Sequence, residues 1–219
     1  MNTNALNKLS FYCSENENQF FDRKSARIKP LDILKHLVAF SNAEGGQLVI
    51  GVEDDGTITG FNYKGAHSID EYRNIFLTEL KETPINPKFD ILDVKNNKGT
   101  NDKILVISVD VSTDRVIKSY NGKVFLRQND KSIELNFEQI LQLQYDRGQR
   151  YFEDEVVQLS SIDDIDDGLI DDYKKILNID ELSSEEVLKA RNLMINGKLT
   201  NAGLLLFGKI LLNFYHRQD

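Results

Sequence analysis

Eight basic side chains fall into two groups that could bind the phosphates of a nucleic acid. One group lies in a predicted strand–helix unit near the start of the chain, and the other surrounds a later predicted hairpin. Their members are Lys24, Arg27, Lys29 and Lys35, and then Lys118, Lys123, Arg127 and Lys131. Lysine and arginine provide the positive charge and hydrogen-bond donors that phosphates attract, although single surface residues of this kind are often merely solvated. If a sheet brings the two groups together, we expect one phosphate-binding face.

The net charge of the chain is acidic, and the acidity is concentrated near its end. The 219 residues carry 27 Lys and Arg against 35 Asp and Glu, which gives −8. Residues 1–150 hold 20 basic and 21 acidic side chains, whereas residues 151–219 hold 7 and 14. A uniformly basic nucleic-acid binder is therefore excluded, but the first part can still carry a basic face opposite an acidic one.

The composition is ordinary for a globular protein, and we expect a cytoplasmic location. A chain of 219 residues can form one substantial domain with an appendage, or two small domains. No apolar run reaches membrane-spanning length, and the first residues lack a secretory signal pattern. The single cysteine, Cys13, cannot form an intramolecular disulfide, which is typical of a reducing compartment.

Hydrophobic periodicity predicts an α+β fold for residues 1–150, with a mixed sheet and packed helices. Residues 1–18 are predicted to form an irregular or short helical arm. Helices are predicted at 29–43, 68–83 and 136–149, and strands at 18–26, 46–52, 57–61, 87–94, 103–111 and 124–128. The strand at 57–61 would return from a hairpin turn in EDDG.

Residues 151–219 are predicted to form an acidic, mainly helical region that leads towards a further module. Six aspartates lie between positions 163 and 172, where they favour a helix N-terminus over a calcium loop because the EF-hand spacing is absent. The apolar segment LLLFGKILLNFY, residues 204–215, is predicted to be buried or to form an adhesive surface.

Common catalytic and cofactor motifs are missing. The chain has no C-x-x-C pair, no H-E-x-x-H, no G-x-G-x-x-G and no phosphate-binding P-loop. We therefore expect no zinc site and no nucleotide cofactor, and ordinary hydrolase or kinase chemistry has little support.

A glycine pair connects a predicted helix to a predicted buried strand within LVAFSNAEGGQLVIGVEDDGTITGF, residues 37–61. Two glycines can end a helix in left-handed backbone geometry and let the chain approach a sheet closely. A structural role of this kind is sufficient to explain the presence of Gly45 and Gly46, and it implies no particular function.

The same stretch resembles the central motif of the Schlafen-type AlbA-like domain, a family described as DNA-binding. The family pattern is a helix ending in A-F-A-N-T-x-G-G, a strand ending in G-V-D-D-x-G and a closing glycine. The matching residues are Ala39, Phe40, Asn42, Gly45, Gly46, Gly51, Val52, Asp54, Gly56 and Gly60. FDRK corresponds to the family's E-F-K, with Asp22 in place of Glu, and VFLRQND resembles a later family strand in which Arg127 is retained.

The resemblance extends from about residue 15 to residue 212. LTNAGLLLFGK, residues 199–209, is similar to the segment that follows this domain in bacterial transcriptional regulators and RecG-like helicase-related proteins. Those relatives continue into an ATPase module, which we do not expect in these residues. The resemblance thus implies a DNA- or RNA-binding domain of a transcriptional regulator, and self-association as a homodimer.

Two alternatives remain open. Some Schlafen proteins cut structured RNA with three carboxylates, which the resemblance places at Glu17, Asp22 and Asp54. Such a set could hold Mg²⁺ or Mn²⁺, with Lys24 beside the scissile phosphate, although Asp22 is one methylene shorter than the family's Glu. The other alternative is a protein-interaction scaffold that uses the apolar segment 204–215.

Overall fold

The computed structural model describes residues 3–79 and 85–209. The chain divides into two compact units, Met1–Arg147 and Gly148–Asp219, where the sequence predicted a boundary at residue 150. Helices and a mixed sheet are both present, so the predicted α+β fold is confirmed.

The first unit contains four helices and six strands in its described part. In chain order they are α1 Thr3–Ser14, β1 Phe21–Lys24, α2 Pro30–Asn42, β2 Gly46–Ile50, α3 Ile69–Glu79, β3 Lys88–Lys95, β4 Asn101–Val109, β5 Phe125–Gln128, β6 Lys131–Glu134 and α4 Phe137–Asp146. Four strands form one sheet in the order β1-β2-β4-β3, in which β1 and β2 are parallel and the other pairs are antiparallel. The strands β5 and β6 form a separate antiparallel hairpin.

Helix α2 forms the core against one face of the sheet. Pro30 lies in its first turn, where the missing N–H costs nothing, and Ile33, Leu34 and Leu37 are fully buried. They pack in one cluster with side chains of β2 and β4, including Leu48. The opposite face of the sheet packs against α1 through a second cluster, so the sheet is covered on both sides.

Strand alternation determines which β1 side chains meet α2. Phe21 belongs to the cluster on the α1 side. Asp22 pairs in register with Leu48, whose side chain packs in the α2 cluster. Because successive side chains point to opposite faces, Asp22 and Lys24 lie on the α2 side of the sheet.

Several predicted elements differ from the structure. The returning strand at 57–61 is wrong, because only an isolated bridge between Val52 and Ile58 forms there. Residues 3–14 form a regular helix rather than an irregular arm, and β6 was not predicted. The end of the predicted helix 68–83, from residue 80 onward, lies outside the described residues.

The second unit is a small helical assembly with one short hairpin. Its elements are α5 Asp167–Leu177, α6 Ser184–Ala190, β7 Met194–Ile195, β8 Lys198–Leu199 and α7 Asn201–Phe207, with short 3-10 turns at 152–154 and 162–164. The carboxylate of Asp166 accepts hydrogen bonds from the first amides of α5, at 2.9 Å from Gly168 N and 3.2 Å from Leu169 N. The aspartate run therefore contains a helix N-cap.

The apolar segment at 204–215 is only partly described. Leu204 and Phe207 are buried in the core of the second unit, whereas Leu205 and Leu206 are exposed. Residues 210–215 lie outside the described part. Among the described residues, no helix is both long and apolar enough to cross a membrane.

Candidate nucleic-acid interface

A buried carboxylate, Asp22, organises the polar cluster between β1, α2 and the β5–β6 hairpin. Its side chain is only 1% exposed. One oxygen, Oδ2, accepts a hydrogen bond from Arg127 Nη1 at 2.6 Å and lies 3.1 Å from His36 Nδ1. The other, Oδ1, accepts from Lys24 Nζ at 2.5 Å. Three elements distant in the sequence therefore meet at one buried anion.

Arg127 is a structural clamp, which corrects its predicted role as a phosphate ligand. Its guanidinium is completely buried and donates to the main-chain oxygen of Asn18 at 2.9 Å and to that of Phe21 at 3.1 Å. The guanidinium carbon also lies 4.7 Å from the centre of the Phe40 ring. With its donors directed at Asp22 and these carbonyl groups, Arg127 holds the hairpin on β1 and offers no surface to a phosphate.

The cluster keeps Asp22 ionised and favours neutral His36. Burial by itself raises the pKa of Asp22, but the hydrogen bonds from His36 and Lys24 and the charge of Lys24 outweigh it and hold that pKa below its usual range. Burial lowers the pKa of His36 against the opposing effect of Asp22, and the nearby charges of Lys24 and Lys35 lower it further. Since a carboxylate can only accept, neutral His36 carries its proton on Nδ1, where it faces Asp22.

Two of the three predicted metal-binding carboxylates approach each other, but the third is elsewhere. Glu17 Oε1 lies 3.2 Å from Lys24 Nζ, the ammonium group that also binds Asp22. Burial raises the pKa of Glu17. Asp54 is exposed in the turn between Glu53 and Thr57.

These carboxylates do not fit a three-ligand metal site. Within residues 3–79 and 85–209, no three or more His, Cys, Asp or Glu side chains are grouped so that they could hold a metal ion. The ammonium group of Lys24 already forms ion pairs with both Glu17 and Asp22. The arrangement therefore gives no support to the predicted metal-dependent nuclease.

The remaining basic residues of the first group lie at the surface. Lys29 and Lys35 are exposed, at the start and on the outer side of α2. Arg27 is half-exposed in the loop between β1 and α2, with its Nη2 3.5 Å from Glu53 Oε2. Lys24, Arg27, Lys29 and Lys35 therefore belong to one strand–loop–helix unit, as predicted.

The second basic group lies around the β5–β6 hairpin. Lys123 forms an ion pair with Glu134 at 2.8 Å within its own hairpin. Lys131 is exposed beside Ser132, whose hydroxyl lies 3.2 Å from His36 Nδ1. Since neighbouring side chains of a strand point to opposite faces, Lys131 points away from His36. Lys118 is also exposed. The joining of the two groups into one face therefore stays a prediction.

The asparagine–glycine motif positions these elements. Asn42 is 1% exposed, and its amide group donates to Ile117 O at 2.8 Å and Phe125 O at 3.0 Å while accepting from Ile117 N at 2.8 Å. Gly45 has a φ of +80°, and a Cβ at Gly46 would overlap the Phe40 ring. The motif therefore joins α2 to β2 and to the segment that leads into β5.

Sequence reasoning missed an aromatic–basic pair beside Arg27. The guanidinium carbon of Arg27 lies 4.9 Å from the centre of the Tyr63 ring, in a loop that also presents exposed Lys64. The only signal was the dipeptide Tyr63–Lys64, next to a segment that was predicted as a strand. The long-range pairs of Arg127 had no local signal.

One of three comparisons with known proteins, the family model, supports the resemblance. A sequence model of the family described as "Schlafen, AlbA_2" matches residues 17–136, which include Asp22, His36 and Arg127. A crystal structure of the DIP2311 protein from Corynebacterium diphtheriae is 19% identical, with a TM-score of 0.44 over 94% of this chain. The chain spans 44% of the length of that protein. A search of curated proteins found no match.

Proposed function

Because this chain belongs to the Schlafen AlbA_2 family, whose membership indicates a nucleic-acid-related function, we propose that its first unit binds DNA or RNA. The observation that carries the proposal is the distribution of charge around α2. The carboxylates of Asp22 and Glu17 are paired with basic side chains within the fold, whereas Arg27, Lys29 and Lys35 remain at the surface.

Neutralisation matters because an unpaired buried carboxylate would repel a phosphate nearby. Asp22 has two permanent cations, Arg127 and Lys24, and Glu17 shares the second of them. Asp32 is the exposed carboxylate of this unit, in the first turn of α2. The cations Arg27, Lys29 and Lys35 therefore outnumber the carboxylates beside them, which are Asp32 and the Glu53 that contacts Arg27. This excess of positive charge favours sequence-independent contacts to a phosphate backbone.

The finer role that we propose is that of a nucleic-acid-binding domain in a cytoplasmic transcriptional regulator. It is supported by the resemblance of residues 199–209 to the segment that follows the domain in bacterial regulators. We further propose that the protein is a homodimer, as its relatives often are. Light scattering at micromolar concentration tests this, and a monomeric mass would contradict it.

Fluorescence anisotropy tests the binding function directly. Labelled single-stranded and duplex DNA and RNA are titrated with the protein at low salt, where phosphate contacts are strongest. We expect binding, and we expect Lys29→Glu combined with Lys35→Glu to weaken it by about tenfold or more, since two attractive charges become repulsive. No binding to any of the four nucleic acids would overturn the proposal.

A matched control separates this surface from the general charge of the protein. Lys88 is also exposed, on the strand β3 at the opposite edge of the sheet from β1, and it forms an exposed ion pair with Asp110. Lys98 is exposed as well, in the turn between β3 and β4. The double variant Lys88→Glu, Lys98→Glu therefore changes the net charge in the same direction and by the same amount. We expect this double variant to keep most of the affinity, and an equal loss would show that the surface at α2 is not the binding site.

A further inference from the structure

Two surface loops of the first unit are fixed to each other beside the N-terminus of α2. Residues 25–29 follow β1, and residues 61–67 precede α3. His67 N donates to Ala26 O at 2.9 Å. The hydroxyl of the fully buried Tyr72 lies 2.9 Å from Ala26 O and 2.6 Å from Ile28 O. The two loops therefore form a defined platform, since one backbone hydrogen bond connects them and the side chain of Tyr72, in α3, holds the first loop.

The side chain of Arg27 is oriented on this platform. Its Nε donates to Ser25 Oγ at 3.2 Å, and its Nη2 lies 3.5 Å from Glu53 Oε2, so the edge of the guanidinium is held. The Tyr63 ring covers it, with 4.9 Å between the guanidinium carbon and the ring centre. The Arg27 side chain is nevertheless 49% exposed. A planar cation is thus held on an aromatic ring while half of its surface remains open to a ligand.

Two further cations flank this pair on the same loops. Lys29 follows Arg27 by two residues, and Lys64 follows Tyr63 directly; both are exposed. Aromatic rings and arginine planes stack on nucleobases, and lysines beside them attract the connecting phosphates. Glu53 is the carboxylate that contacts Arg27, and its other oxygen, Oε1, accepts from Thr59 Oγ1 at 2.6 Å.

We propose that Arg27 and Tyr63 form a stacking subsite for an unpaired nucleobase, so that the preferred partner of the first unit is single-stranded nucleic acid. This inference rests on the proposed nucleic-acid binding function and specifies its substrate class. Bases within a duplex are stacked on one another and do not present their faces. Because every base has a π-face, the subsite selects for unpaired bases rather than for a particular sequence.

The test compares a single strand with the same strand made abasic at its central positions, in both deoxyribose and ribose forms, and with the duplex. Removing the bases keeps the phosphates and removes the stacking partners. Stacking is worth about 1–3 kcal/mol per base, so we expect the wild-type protein to bind the abasic strand about fivefold or more weakly than the intact one. The duplex should also bind more weakly than the intact single strand.

Matched variants assign the effect to the subsite. Tyr63→Ala should weaken binding of the intact strand by about fivefold or more and leave binding of the abasic strand unchanged, whereas Tyr63→Phe should retain both affinities. Arg27→Lys keeps the charge but removes the planar guanidinium group, so it should weaken binding of the intact strand and not binding of the abasic strand. If Tyr63→Phe weakens binding as much as Tyr63→Ala, a hydrogen bond from the hydroxyl is responsible and the stacking proposal is overturned.

The outcomes distinguish this inference from the proposed function. If wild-type protein binds intact and abasic strands equally, nucleic-acid binding stands and the stacking subsite is wrong. If it binds none of the nucleic acids, the proposed function fails and the subsite fails with it. The comparison of intact and abasic strands uses the unmodified protein, so it remains decisive even if Tyr63→Ala folds poorly.

Discussion

Arg127 and Asp22, which are 105 positions apart in the chain, form an ion pair with no more than 1% of either side chain exposed. The pair connects the β5–β6 hairpin to the edge strand β1 and fixes the hairpin over α2. Because of this ion pair, Arg127, the retained arginine of the family motif, has a structural role inside the fold. Contacts with a ligand must then be made by residues at the surface.

Removing this pair should destabilise the protein strongly. Arg127→Ala leaves the buried carboxylate of Asp22 with less compensation and removes the donors to Asn18 O and Phe21 O. We expect a loss of about 3–5 kcal/mol in the free energy of unfolding, measured by urea denaturation. The control is Lys123→Ala, which breaks the half-exposed pair with Glu134 in the same hairpin and should cost about 0–1 kcal/mol. Equal losses for the two variants would show that burial of the Arg127 pair contributes nothing.

His36 should make stability depend on pH below neutrality. Burial lowers the pKa of His36 in the folded protein, whereas an unfolded histidine has a pKa of about 6.5. Between these two values the unfolded chain binds more protons, so stability is lost as the pH falls through that window. We expect the advantage of the wild type over His36→Asn to shrink between pH 8 and pH 5 in urea denaturation. Parallel stability curves for the two proteins would contradict this.

Asn42 should contribute strongly to the stability of the fold. Asn42→Ala leaves the amide of Ile117 and the carbonyls of Ile117 and Phe125 without their partner. Since each buried group left unpaired costs about 1–3 kcal/mol, we expect a total loss of ~2 kcal/mol or more. Asn62→Ala is the matched control, because its side chain makes one exposed hydrogen bond, to Asn101 O at 3.3 Å, and the variant should be nearly as stable as the wild type. A comparable loss in the control would refute the prediction.

A side chain at position 46 should destabilise the protein. A Cβ there would overlap the Phe40 ring and lie 2.9 Å from Phe20 O, so Gly46→Ala should cost about 1–3 kcal/mol through overpacking. A double-mutant cycle with Phe40→Leu, followed by thermal or urea unfolding, measures how much of this cost comes from the ring. If the Phe40 ring causes part of the cost, the double variant loses less stability than the sum of the losses of the two single variants. Strictly additive losses would show that the ring is not the cause.

Lys35 should contribute to affinity through charge alone. Its exposed position on α2 suits a phosphate contact, and a single such contact changes the slope of log affinity against log salt by about 0.7–0.9. Lys35→Ala should therefore weaken binding of all sequences equally and make the slope shallower by roughly one contact. Titrations at several salt concentrations measure the slope, and an unchanged slope would remove Lys35 from the interface.

The main elements of the first unit were predictable because their signals are local. The apolar period of α2, the continuous apolar run of β2 and the Gly45–Gly46 pair between them lie within about 20 residues. The short strand β6 had no such signal, and its four residues are recognisable only as the partner of β5.

The candidate site was less predictable because it depends on long-range packing. Arg127 has the same side chain as a surface phosphate ligand, and only the position of β5 against β1 determines that it is buried. In the same way, Tyr63 became a candidate only when its loop was found beside Arg27. The residue types predicted which interactions these side chains could make. Their positions and burial depended on how the strands and loops pack, which the sequence did not show.

The strand β3 has β4 as its neighbour on one side only, within the part of the chain that the structure describes. Its outer edge could add a strand from a second copy. In a symmetric antiparallel pairing centred between Ile91 and Leu92, Lys88 would face Lys95 and Asp90 would face Asp93. Like charges directly opposite each other destabilise a strand pair. The symmetric placement of like charges along KFDILDVK therefore protects the protein against aggregation through this edge in that register.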